Sequence, residues 1–273
     1  MPEAAPSILR FENVTVTFED VTALDAVSFE AREGESRVIL GAAGSGKTIL
    51  LKTALGLLKP DSGKVYVFGR ELTTLREKEL FDIRSKIGML FQESALFDSL
   101  TIEENVAYPL VNQRSIHCPE KDVHPRVVEA LEFVELGGTL EKFPSELSGG
   151  MRRRAAIARA VVTSPRLTLY DSPTAGLDPI TAHTIMALLV KARDVAKTTT
   201  LVVTYRYQDG NVMANFRYNS EQERIEPARN GARREARTTF MVLREGRLIF
   251  EGDQDQLESS KDPYISKFVK QRE

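Results

Sequence analysis

Apolar and polar positions alternate with a two-residue period at the start of the chain, in Ile8-Leu9-Arg10-Phe11, Val14-Thr15-Val16-Thr17-Phe18 and Ala26-Val27-Ser28-Phe29. Such runs predict short β-strands. The turn Glu33-Gly34-Glu35 leads into the apolar run Val38-Ile39-Leu40, and Ile49 to Leu55 then takes helical spacing. Lys59-Pro60-Asp61-Ser62-Gly63 is a turn and Lys64 to Gly69 a further strand, so an antiparallel β portion flanks residues 41–48 on both sides. Glu71 to Arg84 reads as a polar helix, and Ile87 to Phe91 as a strand ending at Gln92. From about 93 to 165 the pattern is helical. Val123, Val127, Val128, Leu131 and Val134 form an amphipathic stripe over 122–135. Leu167 to Asp171 and Thr199 to Thr204 are apolar enough for buried strands, with a helix from Ile180 to Ala196 between them.

Periodicity is lost at about 206–238, which predicts a loop-rich polar insertion. A hairpin follows at Thr239–Leu243 and Leu248–Gly252, and residues 253–273 form a helical tail. No internal repeat is visible, so residues 1–252 are expected to be one α/β unit with a helical subdomain at about 93–165.

Composition removes several function classes. A net charge of -2 implies no general attraction to nucleic acid or anionic lipid. One cysteine, Cys118, excludes an intramolecular disulfide, and His117 and His124 beside it match no zinc spacing, which leaves them as surface residues. The first residues show no basic head with an apolar core, and no run reaches membrane-span length. The expectation is a soluble cytosolic protein that needs a partner to work at a membrane.

The chemistry centres on Gly41-Ala42-Ala43-Gly44-Ser45-Gly46-Lys47-Thr48, followed by Ile49. Strand, glycine-rich turn and helix are the context in which successive backbone N–H groups converge on one phosphate, at the positive end of a helix. Lys47 supplies a mobile charge for the terminal phosphates and Thr48 a hydroxyl for magnesium. Asp171, at a strand end, can hold the same ion through water. Ser148 is a candidate N-cap, and Gly149-Gly150 offers a second set of N–H groups for an anion. Arg152, Arg153 and Arg154 read as a solvated face. Phe18 has two readings, a ring that stacks on a base or a core strand residue.

Taken together, GAAGSGKT, Gln92, LSGGM at 147–151 and Asp171 resemble the ATP-binding cassette (ABC) ATPases. The stretches MLFQESALFDSLTIEENVAYPL and PSELSGGMRRRAAIARA, with LDPIT, are further similar to the cassette subunits of Mla/Mce-type lipid transporters. The resemblance implies an ABC-type P-loop NTPase fold with a mainly parallel core sheet, an antiparallel β-subdomain and a helical subdomain. It implies ATP and Mg2+ as ligands and a second copy of the chain as partner. An integral membrane permease, an Mce-domain lipid-binding protein and a place on the cytoplasmic face of the inner membrane are implied as well.

Position by position, residues 41–48 are the Walker A loop. Gln92 contacts magnesium and senses the permease, and Ser148, Gly149 and Gly150 reach the γ-phosphate bound by the other copy. Asp171 is the Walker B acid, Asp178 lies at the dimer seam, Phe18 stacks on adenine, and Glu93 to Leu110 receive the permease's coupling helix.

The chain departs from that pattern at two catalytic positions. The family carries a glutamate after the Walker B acid and a histidine after the last buried strand; here these are Ser172 and Tyr205. A serine hydroxyl accepts no proton near neutral pH. Losing one positioned acid–base group costs ~10²–10⁴-fold in rate, whereas the binding loop is complete, so ATP binding with slow hydrolysis is expected. Glu93 and Asp178 are candidate substitute carboxylates, although the roles that the resemblance implies for them argue against it. The alternative is a degenerate cassette acting as a regulatory or structural clamp. A soluble cassette of repair or translation is disfavoured, since neither a second cassette nor a long coiled insertion is present.

Overall fold

The computed structural model describes residues 5–113, 115–228 and 238–270. Its centre is a six-stranded sheet in the order β12-β11-β3-β8-β7-β6. These strands are β3 (Ser36–Leu40), β6 (Ile87–Leu90), β7 (Leu167–Asp171), β8 (Thr199–Thr204), β11 (Thr238–Arg244) and β12 (Arg247–Gly252). All neighbours are parallel except β12, which closes one edge antiparallel to β11. A second, antiparallel sheet runs β2-β1-β4-β5, from β1 (Ser7–Phe18), β2 (Val21–Arg32), β4 (Ser62–Val67) and β5 (Arg70–Glu71).

The central strands β3, β7 and β8 are buried along their whole length because both faces are covered, and their middles are apolar. Val38, Leu40, Tyr170, Val202, Phe240 and Val242 face one core, shared with the helices that follow β6. Ile39, Leu169, Leu201, Val203, Met241 and Leu243 face the other, shared with α1 (Lys47–Ala54) and the antiparallel sheet. The helical part is built from α3 (Ile102–Asn112), α4 (Glu120–Phe133) and α5 (Gly149–Val161). Val127, Leu131 and Val134 of the amphipathic stripe are fully buried there. α6 (Pro179–Ala196) crosses back to the sheet.

The three β-type runs near the start merge into the two long strands β1 and β2, whose pairing is bulged at several registers. The polar helix at 71–84 is shorter than its pattern: β5 and one 3-10 turn (Leu72–Thr74) precede α2 (Glu77–Arg84).

The loop-rich insertion is corrected more sharply. Residues Tyr207–Asn215 form helix α7, and Phe216–Asn219 pairs with Arg224–Pro227 as the hairpin β9–β10; residues 229–237 lie outside the described residues. α7 buries Tyr207, Val212 and Met213, but also Asp209 and Gly210, so its inward face lacks a continuous apolar stripe. Gly210 is required by packing, since a Cβ there would stand 2.5 Å from the Phe240 ring. The tail consists of α8 (Gln254–Glu258) and α9 (Pro263–Lys270). No described helix is long and apolar enough to cross a membrane.

Candidate nucleotide-binding site

Sheet register assembles the site. Leu40 pairs with Thr204 and Asp171 with Val203, so β3, β7 and β8 end side by side. The loop 41–46, Ser172 and Tyr205 therefore leave the sheet at one edge, outside the carboxyl ends of parallel strands, where α/β folds bind ligands.

The loop is shaped by glycines with distinct constraints. Gly46 has φ +102°, and a Cβ there would lie 2.3 Å from the Ala23 carbonyl of β2. A Cβ on Gly41 would meet Ser45 Oγ at 2.4 Å and the Leu243 carbonyl at 2.7 Å. Lys47 opens α1 and donates to the carbonyls of Gly41 and Ala42, both at 2.7 Å, and to Ser45 Oγ at 3.3 Å. Burial pushes its ammonium pKa down, against the attraction of Asp171.

Thr48 Oγ1 donates to Asp171 Oδ2 at 2.7 Å, and Ser172 Oγ donates to the other oxygen, Oδ1, at 3.1 Å. A hydroxyl and a carboxylate aimed at one point are hard oxygen donors of the kind magnesium takes, with waters and phosphate completing its shell. No cluster of three or more His, Cys, Asp or Glu side chains able to hold a metal occurs among the described residues.

Lys47, Thr48 and Ser172 border a cleft of about 540 Å³ that also includes Thr22, Gln92, Tyr205 and Glu245. Ser172 is buried with φ +47° and donates its N–H to Val203 O at 2.8 Å, while Tyr205 is 45% exposed. Phe18 is 44% exposed at the end of β1, which removes the core reading. It pairs with Val21, which lines the cleft. Glu93 and Asp178, the candidate substitute carboxylates, do not line this cleft; Glu245 does.

Ser148, Gly149, Gly150 and Asp178 border a second cleft of about 500 Å³ that shares no lining residue with the first. Ser148 caps α5, accepting from Met151 N at 3.3 Å. Asp178 caps α6, accepting from Ile180 N and Thr181 N at 3.1 and 3.0 Å, and hydrogen bonding with Thr181 first of all holds its pKa below the usual carboxylate range.

The reading of Arg152–Arg154 as a solvated face is wrong for Arg153, which is 6% exposed. Its guanidinium donates to the carbonyls of Phe91, at 3.2 Å, and of Gln92. Arg152 donates to Leu147 O at 2.6 Å and Arg154 to Val134 O at 3.2 Å. All three bond to backbone carbonyls.

Asp209 was not a sequence candidate. It is 2% exposed and accepts from Thr204 Oγ1 at 2.6 Å and from Thr174 Oγ1 at 2.8 Å, tying the end of β8 to the segment after Ser172. Burial pushes its pKa up, opposed by those hydrogen bonds and by Arg206.

The sequence pattern of the ABC transporter family matches residues 24–175, more than half of the chain. The chain belongs to the ABC transporter family. It is an ABC-type ATPase by that membership, with the family's α/β cassette fold. It is 31% identical over 264 residues to the intermembrane phospholipid transport system ATP-binding protein MlaF of Haemophilus influenzae, covering 97% of this chain and 90% of that protein. It is 41% identical over 201 residues to the methionine import ATP-binding protein MetN of Carboxydothermus hydrogenoformans, covering 72% of this chain but only 59% of that longer relative. A solved dimeric ATP-binding cassette in a post-hydrolysis state, bound to ADP and Pi, superposes with a TM-score of 0.75 at 30% identity over 90% of this chain and 98% of its own. Relatives named for phospholipid and for methionine both match, so likeness alone selects no cargo.

Proposed function

We propose that this chain is the ATP-binding subunit of a membrane transporter, that it works as a dimer of two copies, and that its cargo is phospholipid or another lipid. The observation that carries the reading is the division of the site. Lys47 and Thr48, the latter bonded to Asp171, line one cleft, and Ser148–Gly150 open onto another with no residue in common. A second copy in opposed orientation brings the N-terminus of its α5 onto the phosphate held by Gly41–Ile49, and ATP is then the adhesive between them. Phe18 stacks on the base, Lys47 and the loop N–H groups hold the phosphates, and Thr48, Asp171 and Gln92 surround the magnesium. Bound magnesium neutralises charge on the terminal phosphates.

The apolar ledge on residues 93–110 receives the permease. Phe97 and Tyr108 pack at 4.6 Å between centroids, yet stay 41% and 40% exposed, bordering a groove with Phe91 and Arg159. Similarity over 97% of the chain to a protein named for intermembrane phospholipid transport supports the lipid cargo. The Mce-domain partner and a position on the cytoplasmic face of the inner membrane are proposed from the resemblance of the stretches at 89–110 and 144–160.

Turnover is slow in this reading, because Ser172 and Tyr205 occupy positions where the family carries a glutamate and a histidine. These same residues favour the second reading, a clamp that closes on ATP with little turnover. The decisive experiment for the assembly is sedimentation of the purified chain with and without MgATP. We expect an ATP-dependent dimer that Ser148→Arg abolishes while ATP binding to each copy is kept. A chain that stays monomeric at saturating ATP, or a Ser148→Arg variant that dimerises normally, would sink the composite site.

A further inference from the structure

The peptide bond between Gly41 and Ala42 is held on both sides. Its carbonyl, Gly41 O, accepts from Lys47 Nζ at 2.7 Å, and its N–H, on Ala42, donates to the hydroxyl of Tyr264 at 3.1 Å. The hydroxyl in turn donates to Leu243 O at 3.3 Å, the carbonyl that also closes off the space beside Gly41. Tyr264 thus spans the start of the phosphate loop and the end of β11, although 222 residues separate it from Ala42.

The hydroxyl is placed by α9 as a unit. Asp262 Oδ1 accepts from the N–H groups of Tyr264 and Ile265 at 2.7 and 3.3 Å, fixing the start of the helix. Ile265, Phe268 and Val269 are buried in the helix-covered core. The Tyr264 ring meets Phe268 edge-on at 5.3 Å, and the Arg244 guanidinium lies 5.6 Å from its centroid.

A peptide with both polar groups bonded cannot rotate without breaking two contacts. Here its orientation decides whether a carbonyl faces Lys47. That ammonium spends its three donors on Gly41 O, Ala42 O and Ser45 Oγ, and these acceptors hold it at the cleft. We propose that Tyr264 is a positioning residue for Lys47, and that docking of α9 and nucleotide occupancy are therefore thermodynamically coupled through the Gly41–Ala42 peptide. Linkage makes the coupling reciprocal: a docked α9 favours ATP, and ATP holds α9 docked. The inference rests on ATP occupying the Lys47 cleft.

The test uses the full chain and Tyr264→Phe, which keeps the ring and removes only the hydroxyl. Affinities for ATP, ADP and AMP with Mg2+ are measured by calorimetry, alongside hydrogen exchange of residues 263–270 with and without ATP. Tyr264→Phe should weaken ATP and ADP by about 2- to 10-fold, the net worth of one hydrogen bond. AMP, which lacks the phosphates that Lys47 meets, should bind unchanged. ATP should slow exchange in α9 of the wild type and leave the variant's exchange unaltered. A residue that merely supports the fold would instead lower the unfolding midpoint without nucleotide and shift all three ligands alike, and that result overturns the proposal. So does a variant that binds ATP as tightly as the wild type. A wild type that binds no ATP would remove the assignment of the cleft itself, which separates the two failures.

Discussion

Ser172→Glu is the substitution that most directly examines the link between this site and its turnover. Ser172 follows Asp171 at the strand end, buried, with its N–H fixed to Val203 O and its Oγ on Asp171 Oδ1. Its φ of +47° is tolerated by the present side chain, and glutamate carries the same backbone cost. The longer side chain puts a carboxylate deeper into the cleft beside Lys47 and Thr48. Two costs follow. The serine hydrogen bond is lost, at about 0.5–1.5 kcal/mol. A second carboxylate about 5 Å from Asp171 adds repulsion of about 3 kcal/mol at an effective dielectric near 20, before solvent and ions reduce it. The variant should therefore unfold more easily without ligand and recover most of that loss with MgATP.

Its catalytic effect follows from the group it restores. A turnover of about 10 s⁻¹ is typical of enzymes; removing one positioned acid–base group lowers it ~10²–10⁴-fold. Wild-type phosphate release at saturating MgATP is then expected at about 10⁻³–10⁻¹ s⁻¹. Ser172→Glu should raise it about 10- to 100-fold, and Ser172→Glu/Tyr205→His by more than the product of the single effects, since groups acting as a unit are not additive. Wild-type release above about 1 s⁻¹, unchanged in both variants, would refute the argument that these two positions limit the reaction.

Three further outcomes follow from single contacts. Asp209 has a folded pKa raised above its ordinary value of 3.8 by burial, so its protonated form is favoured in the fold. Its contribution is fully present below that ordinary value and is lost as pH rises through the raised one. The stability of wild type minus that of Asp209→Asn, from urea unfolding between about pH 4 and 8, should therefore fall with pH; a flat or rising difference contradicts the assignment. A Cβ on Gly150 would stand 2.7 Å from Thr181 Cγ2, so Gly150→Ala should cost about 1 kcal/mol after its gain in helix propensity, and Thr181→Ser, which removes that methyl, should restore it. Arg153→Met leaves the Phe91 and Gln92 carbonyls without their donor and should lower unfolding free energy by about 1.5–3 kcal/mol, whereas an unchanged midpoint in denaturant would mean that water replaces the guanidinium at no cost.

What sequence could and could not show divides along the range of the interactions. The phosphate loop was legible because its requirements are local: glycines for its bends, a lysine and a threonine at the first turn of α1. Ser148 was legible for the same reason, since a cap acts over three residues. α7 was hidden because two of its inward positions are not apolar. Asp209 is stabilised there by Thr174 and Thr204 from other segments, and Gly210 by the room that Phe240 takes up. Arg153 was misread because a run of charges carries no sign of the distant carbonyls that bind it. Tyr264 had no pattern to find: its partners are backbone groups at 42 and 243, and its neighbours in sequence say nothing about them.

The same distinction bears on how binding and turnover come apart in the proposed reading. The binding cradle comes from one contiguous segment after β3, but the reaction needs groups from the ends of β7 and β8 as well. In the proposed reading, Ser172 and Tyr205 therefore limit the reaction and leave the cradle whole. A closed dimer turning over at about 10⁻² s⁻¹ persists for minutes, long enough for a partner to set its opening. In the proposed assembly the partner's signal has a defined physical path. α5 begins at the loop that would meet the other copy's phosphate and, one turn later, holds the Gln92 carbonyl through Arg153. Backbone hydrogen bonds of the first turns of α5 keep Ser148 and Arg153 in fixed relation, so a displacement at Ser148 is passed toward the Gln92 carbonyl. Closure on ATP and the position of Gln92 are then one equilibrium, and a permease that binds beside Phe97 biases it by the difference in its affinity for the two states.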